Sequence, residues 1–176
     1  ATIDVTAPDT YSVTVTGANG CTDVTSVVIN QDITLPVPVI TNNTGATELT
    51  CNLTSINLTA SGGDSYLWST GETTATIDVT IPDTYSVTVT GVNGCSDETS
   101  MVITQDITLP IPVITNNTGA TQLDCNVTSI SLTASGGDTY LWSTGETTAI
   151  IDITTSDTYS VTVTGTNGCE DTTAIV

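Results

Sequence analysis

The chain repeats itself with a period of 74 residues, and this periodicity constrains its fold more than any other feature. The segment Ala1–Cys21, ATIDVTAPDTYSVTVTGANGC, returns as ATIDVTIPDTYSVTVTGVNGC at Ala75–Cys95 and as AIIDITTSDTYSVTVTGTNGC at Ala149–Cys169. Self-similarity at a fixed period is the signature of tandem structural units. We therefore predict three units, namely 1–33 as the C-terminal part of a repeat, 34–107 as a complete repeat and 108–176 as a nearly complete one.

Within each unit, apolar and polar residues alternate. Tyr85, Val87 and Val89 alternate with serine and threonine, and Ile77 and Val79 follow the same rule. A period of two with one apolar face predicts half-buried antiparallel strands, and Gly-rich turns separate them. The strands expected in the complete repeat are Leu35–Thr41, Ser55–Ser61, Ser65–Ser69, Ala75–Thr80, Thr84–Thr90 and Thr99–Thr104. About seven short strands per repeat predict an all-β fold of tandem immunoglobulin-like β-sandwich domains arranged end to end.

Two kinds of aromatic residue are expected in the cores of these sandwiches. Trp68 lies on the third strand, where a tryptophan fills the space between the two sheets. Tyr85 follows the turn before the next long strand, where a tyrosine corner returns its hydroxyl to the upstream backbone. The corresponding core residues in the other units are Trp142, Tyr11 and Tyr159.

The charge of the chain excludes several partners. It contains 19 carboxylates and no Lys, Arg or His, which gives a formal net charge of −19. Nucleic acids and anionic membrane surfaces are bound through cationic side chains, so neither is an expected partner. No apolar run is long enough to insert into a membrane. Since no internal salt bridge between side chains is available, each carboxylate must be hydrated, hydrogen-bonded or bound to a metal ion.

The segments YLWSTGETTATIDVT and DTYSVTVTGVNGC resemble the Ig-like or polycystic-kidney-disease-like repeats of large adhesins of gliding Bacteroidota. The similarity extends over essentially the whole chain. It implies an extracellular, cell-surface protein that is exported by the type IX route and that forms a stalk or adhesin in gliding motility.

The five cysteines indicate an oxidising, extracellular environment. An intradomain Cys51–Cys95 bridge is disfavoured, because the two residues are expected at opposite ends of strands about 23 Å long. A disulfide tolerates only about 7 Å between its Cα atoms. We therefore favour an interdomain Cys51–Cys169 disulfide, with the partners of Cys21, Cys95 and Cys125 lying outside these residues. The intradomain bridge and free buried thiols are the alternatives.

Aspartates are expected to gather at the two junctions between units. Asp83, Asp106 and Asp138 should converge on the second junction, and Asp9, Asp32 and Asp64 on the first. Calcium favours clusters of carboxylate and carbonyl oxygens, so Ca²⁺ sites at the junctions are one hypothesis. The alternative is that these residues are ordinary turn formers and linker acids in water. No other cofactor is expected.

The sequence predicts a structural protein and not an enzyme. It offers no His or Lys for acid–base chemistry, no Cys–His pair and no phosphate-binding loop. The expected function is the repeat region of an extracellular adhesin stalk or filament, an acidic rod stiffened by disulfides. The expected partners are neighbouring repeats of the same chain, with identical chains in a filament or extracellular glycans as further candidates. The alternative function is an Ig-like adhesive module that binds glycans or surfaces through exposed Thr, Asn and Tyr.

Overall fold

The computed structural model describes all 176 residues. The chain forms fifteen β-strands, joined by turns and loops, and no helix. The structure thus contains no helix that is long and apolar enough to cross a membrane. The chain begins with an antiparallel hairpin of β1 (Asp9–Thr16) and β2 (Thr22–Ile29). This hairpin corresponds to two adjacent strands of the next unit, Asp83–Thr90 and Ser96–Asp106, which begin 74 residues later in the sequence.

The following unit is a sandwich of seven strands in two sheets. The strands are β3 (Val39–Asn42), β4 (Glu48–Thr50), β5 (Ile56–Ser61), β6 (Ser65–Trp68), β7 (Thr76–Val79), β8 (Asp83–Thr90) and β9 (Ser96–Asp106). One sheet has the order β3-β5-β7, and the other has the order β4-β9-β8-β6. All neighbouring strands are antiparallel except β4 and β9, which are parallel.

The last unit repeats this architecture with six strands. They are β10 (Val113–Asn116), β11 (Ile130–Ser135), β12 (Thr139–Trp142), β13 (Ile150–Ile153), β14 (Tyr159–Thr164) and β15 (Glu170–Ile175). The sheets have the orders β10-β11-β13 and β12-β14-β15. The counterpart of β4 is absent from the second sheet, because β15 ends before the residues with which such a strand would pair.

Alternation of apolar residues builds a separate core in each sandwich. In β5 the side chains of Ile56, Leu58 and Ala60 are buried, and the residues between them are half-buried. The first core contains 11 buried residues drawn from both sheets, and the second contains 8. No residue belongs to both. The predicted all-β sandwich fold is confirmed, whereas the unit boundaries at 34–107 and 108–176 stay predictions.

The first strand of the sandwich begins later than the alternation predicts, at Val39 and not at Leu35. Pro36 and Pro38 have no N–H to donate to a sheet, so this stretch cannot pair along its length. It crosses the turn after β5 instead, where a β-carbon on Gly62 would overlap the Val37 carbonyl oxygen. Gly62, the first glycine of the Gly-Gly pair, is therefore needed for the chain to enter the sandwich.

Candidate functional site at the junction of the two sandwiches

A disulfide joins the two sandwiches. It links Cys51 to Cys169 with an S–S distance of 1.94 Å, a Cα–Cα distance of 5.0 Å and a sequence separation of 118. Cys51 lies in the exposed loop after β4, and Cys169 lies in the turn before β15 with 1% of its surface exposed. This is the pair that the sequence analysis favoured, and it couples the end of one sandwich to the facing end of the next.

The turn that contains Cys169 also forms hydrogen bonds with the linker between the sandwiches. The Asn167 Oδ1 atom accepts a hydrogen bond from the Cys169 amide at 3.1 Å, which orients the side chain. Its Nδ2 atom then donates to the Thr108 carbonyl oxygen at 2.9 Å and to Asp106 Oδ1 at 3.1 Å. One amide group thus connects the turn of the second sandwich to the linker that leaves the first. We call this set of hydrogen bonds the asparagine clamp.

The carboxylate of Asp106 is held in its ionised form mainly by Thr108, with a smaller contribution from Asn167. The Asp106 Oδ1 atom accepts a hydrogen bond from the Thr108 amide at 3.0 Å. The Thr108 amide, the Thr108 side chain and then the Asn167 side chain lower the pKa of Asp106 below its ordinary value of 3.8. A depressed pKa contributes stability that is complete above the ordinary value and is lost as the pH falls through the lowered one. The junction should therefore loosen only in strong acid.

A related clamp occurs at the junction between the hairpin and the first sandwich. Asn93 donates from Nδ2 to the Thr34 carbonyl oxygen at 2.9 Å, and Asp32 Oδ1 accepts from the Thr34 amide at 3.0 Å. Hydrogen bonds from the backbone and side chain of Thr34 and from Asn93 lower the pKa of Asp32. Cys95 forms no disulfide here. Both junctions thus have an asparagine that donates to the carbonyl oxygen of a linker threonine.

Local hydrogen bonds order the loop that contains Cys51 and the equivalent loop of the next repeat, which contains Cys125. In the loop with Cys51, the Leu53 amide donates to Thr50 Oγ1 at 3.1 Å. In the loop with Cys125, Asp124 Oδ1 accepts from the amides two and three residues further on at 2.7 and 2.8 Å, and these bonds lower its pKa. Cys125 is exposed and unpaired, as is Cys21. Each repeat thus presents its loop cysteine on a backbone that is already ordered.

The predicted convergence of acids at the second junction is wrong. No group of three or more His, Cys, Asp or Glu side chains comes together anywhere in the structure. Asp106 and Asp138 line one shallow depression at the junction, but Asp83 is not part of it. The carboxylate of Asp83 instead accepts a hydrogen bond from the Thr84 amide at 2.7 Å. The geometry on which the calcium hypothesis depended is therefore missing.

The three aspartates expected at the first junction do not form a cluster either. Asp9 accepts a hydrogen bond from the amide of the next residue at 2.7 Å, as its counterpart in the following repeat does. Asp32 belongs to the clamp, and Asp64 is an exposed turn residue whose backbone amide donates to the Thr90 carbonyl oxygen at 2.9 Å. The Asp32 carboxylate thus serves the backbone of its own linker, as the alternative of turn formers and linker acids describes.

The aromatic residues lie where the immunoglobulin-like arrangement places them. Trp68 and Trp142 are each 2% exposed, and their indole nitrogens donate to the carbonyl oxygens of Thr74 and Thr148 at 2.9 Å. The tyrosine hydroxyls each donate to the carbonyl oxygen four residues earlier, at 3.0 Å for Tyr11, 2.8 Å for Tyr85 and 2.9 Å for Tyr159. Tyr11 differs in being half-buried, because the hairpin has no second sheet against it.

The sequence analysis did not identify the asparagines of the clamp or their linker acceptors. The signal available was the triplet Asn-Gly-Cys, which occurs unchanged at Asn19, Asn93 and Asn167. It marks a turn, since the glycine of the last triplet has a φ of 75° and its turn closes through a 2.9 Å backbone hydrogen bond. The acceptors lie 59 residues away in sequence, where no local pattern points to them.

Comparisons with known proteins support the fold alone. No protein-family model matches the chain, and no curated protein is similar to it in sequence. A solved structure from a 1.5-MDa bacterial ice-binding adhesin, studied for its retention at the host cell surface, is similar in fold. Its TM-score is 0.54 at 15% sequence identity, with 94% of this chain and 71% of the adhesin chain covered. The resemblance is therefore one of β-sandwich architecture.

Proposed function

We propose that this chain is a structural repeat region of an extracellular adhesin stalk or filament, in which it forms an acidic rod stiffened by disulfides. The observation that carries the proposal is the Cys51–Cys169 bond between two sandwiches that each have their own core. Contacts between neighbouring domains ordinarily leave them free to hinge. A covalent bond beside a hydrogen-bonded linker removes that freedom.

The repetition of the clamp supports a mechanical role. Asn93 and Asn167 each donate to the carbonyl oxygen of a linker threonine, which is Thr34 at the first junction and Thr108 at the second. A catalytic site needs only one copy, whereas a connection between units is needed at every junction. The recurrence of one geometry at both junctions is therefore typical of an element that fixes how successive units are oriented.

The net charge also supports an extended extracellular rod. With 19 carboxylates and no cationic side chain, successive units repel one another and can collapse only against that repulsion. A disulfide is typical of oxidising compartments outside the cytosol. The similarity of fold to an adhesin structure agrees with a cell-surface location. Export by the type IX route and a role in gliding motility are finer proposals, which are supported by the sequence resemblance alone.

Two measurements test this proposal together. Small-angle X-ray scattering should show an elongated particle with a single cross-section, because neighbouring units are held in one orientation. Antibodies against the repeat should label intact cells of the source organism as strongly as permeabilised ones. A compact scattering profile, or labelling that requires permeabilisation, would contradict the proposal.

A glycan-binding module is the second candidate, and one surface favours it. On the exposed face of the β3-β5-β7 sheet, Asn57 Nδ2 donates to Asp78 Oδ1 at 2.7 Å, and the hydroxyls of Thr59 and Thr76 lie 3.0 Å apart. Such a ladder of ordered polar groups is able to contact sugar hydroxyls.

The second copy of the repeat weakens the glycan-binding candidate. There, Ser131 stands at the position of Asn57 and Ile150 at the position of Thr76, so the ladder is not reproduced. The junction residues, by contrast, are the same in both copies. A glycan array that compares the chain with its Asn57→Ala variant decides the matter. Saturable binding that this substitution removes would favour the glycan-binding module over the rod.

A further inference from the structure

The Cys51–Cys169 disulfide closes a large covalent loop. The separation of 118 between the two cysteines places residues 52–168 inside this loop, and only 1–50 and 170–176 outside it. The two cysteine Cα atoms are 5.0 Å apart, so the two ends of the loop lie next to each other. Tension applied to the two ends of the chain enters at one of these atoms and leaves at the other.

The loop contains almost all of the folded structure. Strands β5 to β9 of the first sandwich and β10 to β14 of the second lie between the two cysteines. Of the 11 buried residues in the first core, only Leu49 lies before Cys51. In the second core, the buried residues all lie between Ile130 and Val163. Both hydrophobic cores are thus built from chain that the disulfide encloses.

We propose that this disulfide is a bypass for mechanical load, which lets tension pass from one sandwich to the next without stretching the interior of either. Under tension, the hairpin, β3, β4 and β15 can be pulled out, because they lie outside the loop. The remaining strands carry no end-to-end load, since the covalent bond between Cys51 and Cys169 carries it. This inference deepens the proposed function, on which its biological relevance rests.

The bypass sets a ceiling on how far the chain can extend. The covalent path contains 51 residues up to the disulfide and 8 from Cys169 onwards, which is 59 of the 176 residues. At roughly 3.4 Å per residue, this path extends to about 200 Å, against about 600 Å for the whole chain. The disulfide should therefore reduce the maximum extension about threefold.

Single-molecule force spectroscopy tests the bypass. The full chain is held through handles at its two termini, with Cys21, Cys95 and Cys125 replaced by serine so that no other disulfide forms. It is compared with a chain in which Cys51→Ser and Cys169→Ser are added. The chain with the disulfide should extend to about 200 Å, with β3, β4 and β15 pulled out but with no sandwich-sized step from the enclosed residues 52–168. The chain without it should extend to about 600 Å and show two such steps.

The outcomes separate this inference from the proposed function. Sandwich-sized unfolding steps in the disulfide-bonded chain, or equal extension of the two chains, would overturn the bypass. The contour length at high force does not depend on folding, so the comparison stands even if the serine variant folds poorly. Absence of the repeat from the cell surface would overturn the adhesin stalk and leave the bypass intact. If the bypass is overturned, the proposed function still stands, and the chain is then an elongated surface protein that extends over its whole length under force.

Discussion

At the scale of single residues, the amide of Asn167 connects parts of the chain that are 59 residues apart. The Cys169 amide donates to the side-chain oxygen of Asn167 and so fixes its rotamer. The side-chain nitrogen of Asn167 is thereby oriented toward the linker. Both ends of the side chain are used, and neither is charged. In a chain without cations, uncharged amides take the place that salt bridges between side chains have in other proteins.

Replacing Asn167 by alanine should loosen the second junction. The variant Asn167→Ala loses the hydrogen bonds to Thr108 and Asp106 and should lower the free energy of unfolding by about 1–2 kcal/mol. Urea denaturation followed by tryptophan fluorescence measures this. Asn19→Ala is the matched control, because the side chain of Asn19 bonds only to the Cys21 amide within its own turn. Equal losses in the two variants would show that the linker contact is not stabilising.

Tyr85 should make the first sandwich sensitive to alkali. Burial first, and then the carboxylate of Asp83, raise the pKa of Tyr85 above its ordinary value of 10.0. The folded state thus favours the protonated hydroxyl, which donates to the Ile81 carbonyl oxygen. Its contribution to stability is complete below pH 10 and is lost as the pH rises through the raised pKa.

The variant Tyr85→Phe tests this dependence. At pH 8 it should lower the free energy of unfolding by about 1 kcal/mol, because one hydrogen bond is lost. Between pH 9 and pH 12, its stability should fall less steeply than that of the unchanged chain in urea titrations. Tyr11→Phe, which removes the same type of bond from the hairpin, should leave the first sandwich unaffected. Parallel pH profiles for Tyr85→Phe and the unchanged chain would contradict the prediction.

Residue patterns predict the interior better than the junction. The positions of Trp68 on the third strand and of Tyr85 after the turn before a long strand assign both residues to the core of an immunoglobulin-like sandwich. The acceptors of Asn167 cannot be found in this way, since they are backbone atoms whose position depends on how two units meet. The aspartates were misjudged for the same reason, because turn chemistry separates carboxylates that topology alone places near one another.

At the scale of elements, the entry of the chain into the sandwich depends on a glycine. Gly62 has a φ of 107°, and a β-carbon there would overlap the Val37 carbonyl oxygen. The variant Gly62→Ala should therefore lose about 3 kcal/mol or more, since it combines backbone strain with a clash against main-chain atoms. Thermal unfolding measured by circular dichroism reports the loss.

The control for this variant is Gly71→Ala. Gly71 has a similar φ of 95° but has no atom within 4 Å of the added carbon. It should lose only the cost of backbone strain, about 1–2 kcal/mol. If both alanine variants are destabilised equally, close packing of the linker on the turn is not what requires glycine at residue 62.

The parallel pair of β4 and β9 accounts for a difference between the two sandwiches. In the first sandwich, Ile103 is 2% exposed and packs in the same core as Leu49. In the second, a cleft of about 290 Å³ lies at this position, and its lining includes Leu123 and Ile175. Three residues are too few to show alternation, so β4 was not predicted.

Adding four residues after Val176 should close this cleft. The sequence Ile-Thr-Gln-Asp, taken from Ile103–Asp106, would continue β15 and bury its isoleucine. Burial of that side chain should raise the free energy of unfolding of the second sandwich by about 2 kcal/mol. Ser-Thr-Gln-Asp is the matched control, because it extends the backbone without the apolar side chain. Equal unfolding midpoints in urea for the two extended chains would contradict the prediction.

At the scale of the whole molecule, local sequence patterns predict separate cores, whereas the bond that joins them can be predicted only from the topology of the fold. The 74-residue period and the alternation lead directly to repeated sandwiches. The linkage between them depends on which ends of the sandwiches face each other, which is a property of the fold and not of any local pattern. The argument from strand length favoured Cys51 with Cys169 because it used that topology.

Disulfide mapping tests the covalent coupling of the sandwiches most directly. Trypsin finds no site in a chain without Lys or Arg, but a protease that cuts before aspartate places each cysteine in a separate peptide. Thiols are first blocked at acidic pH to prevent exchange, and the unreduced digest is then analysed by mass spectrometry. The account predicts that peptide 32–63, with Cys51, is linked to peptide 157–170, with Cys169. A link from 32–63 to 83–96, which contains Cys95, would contradict it.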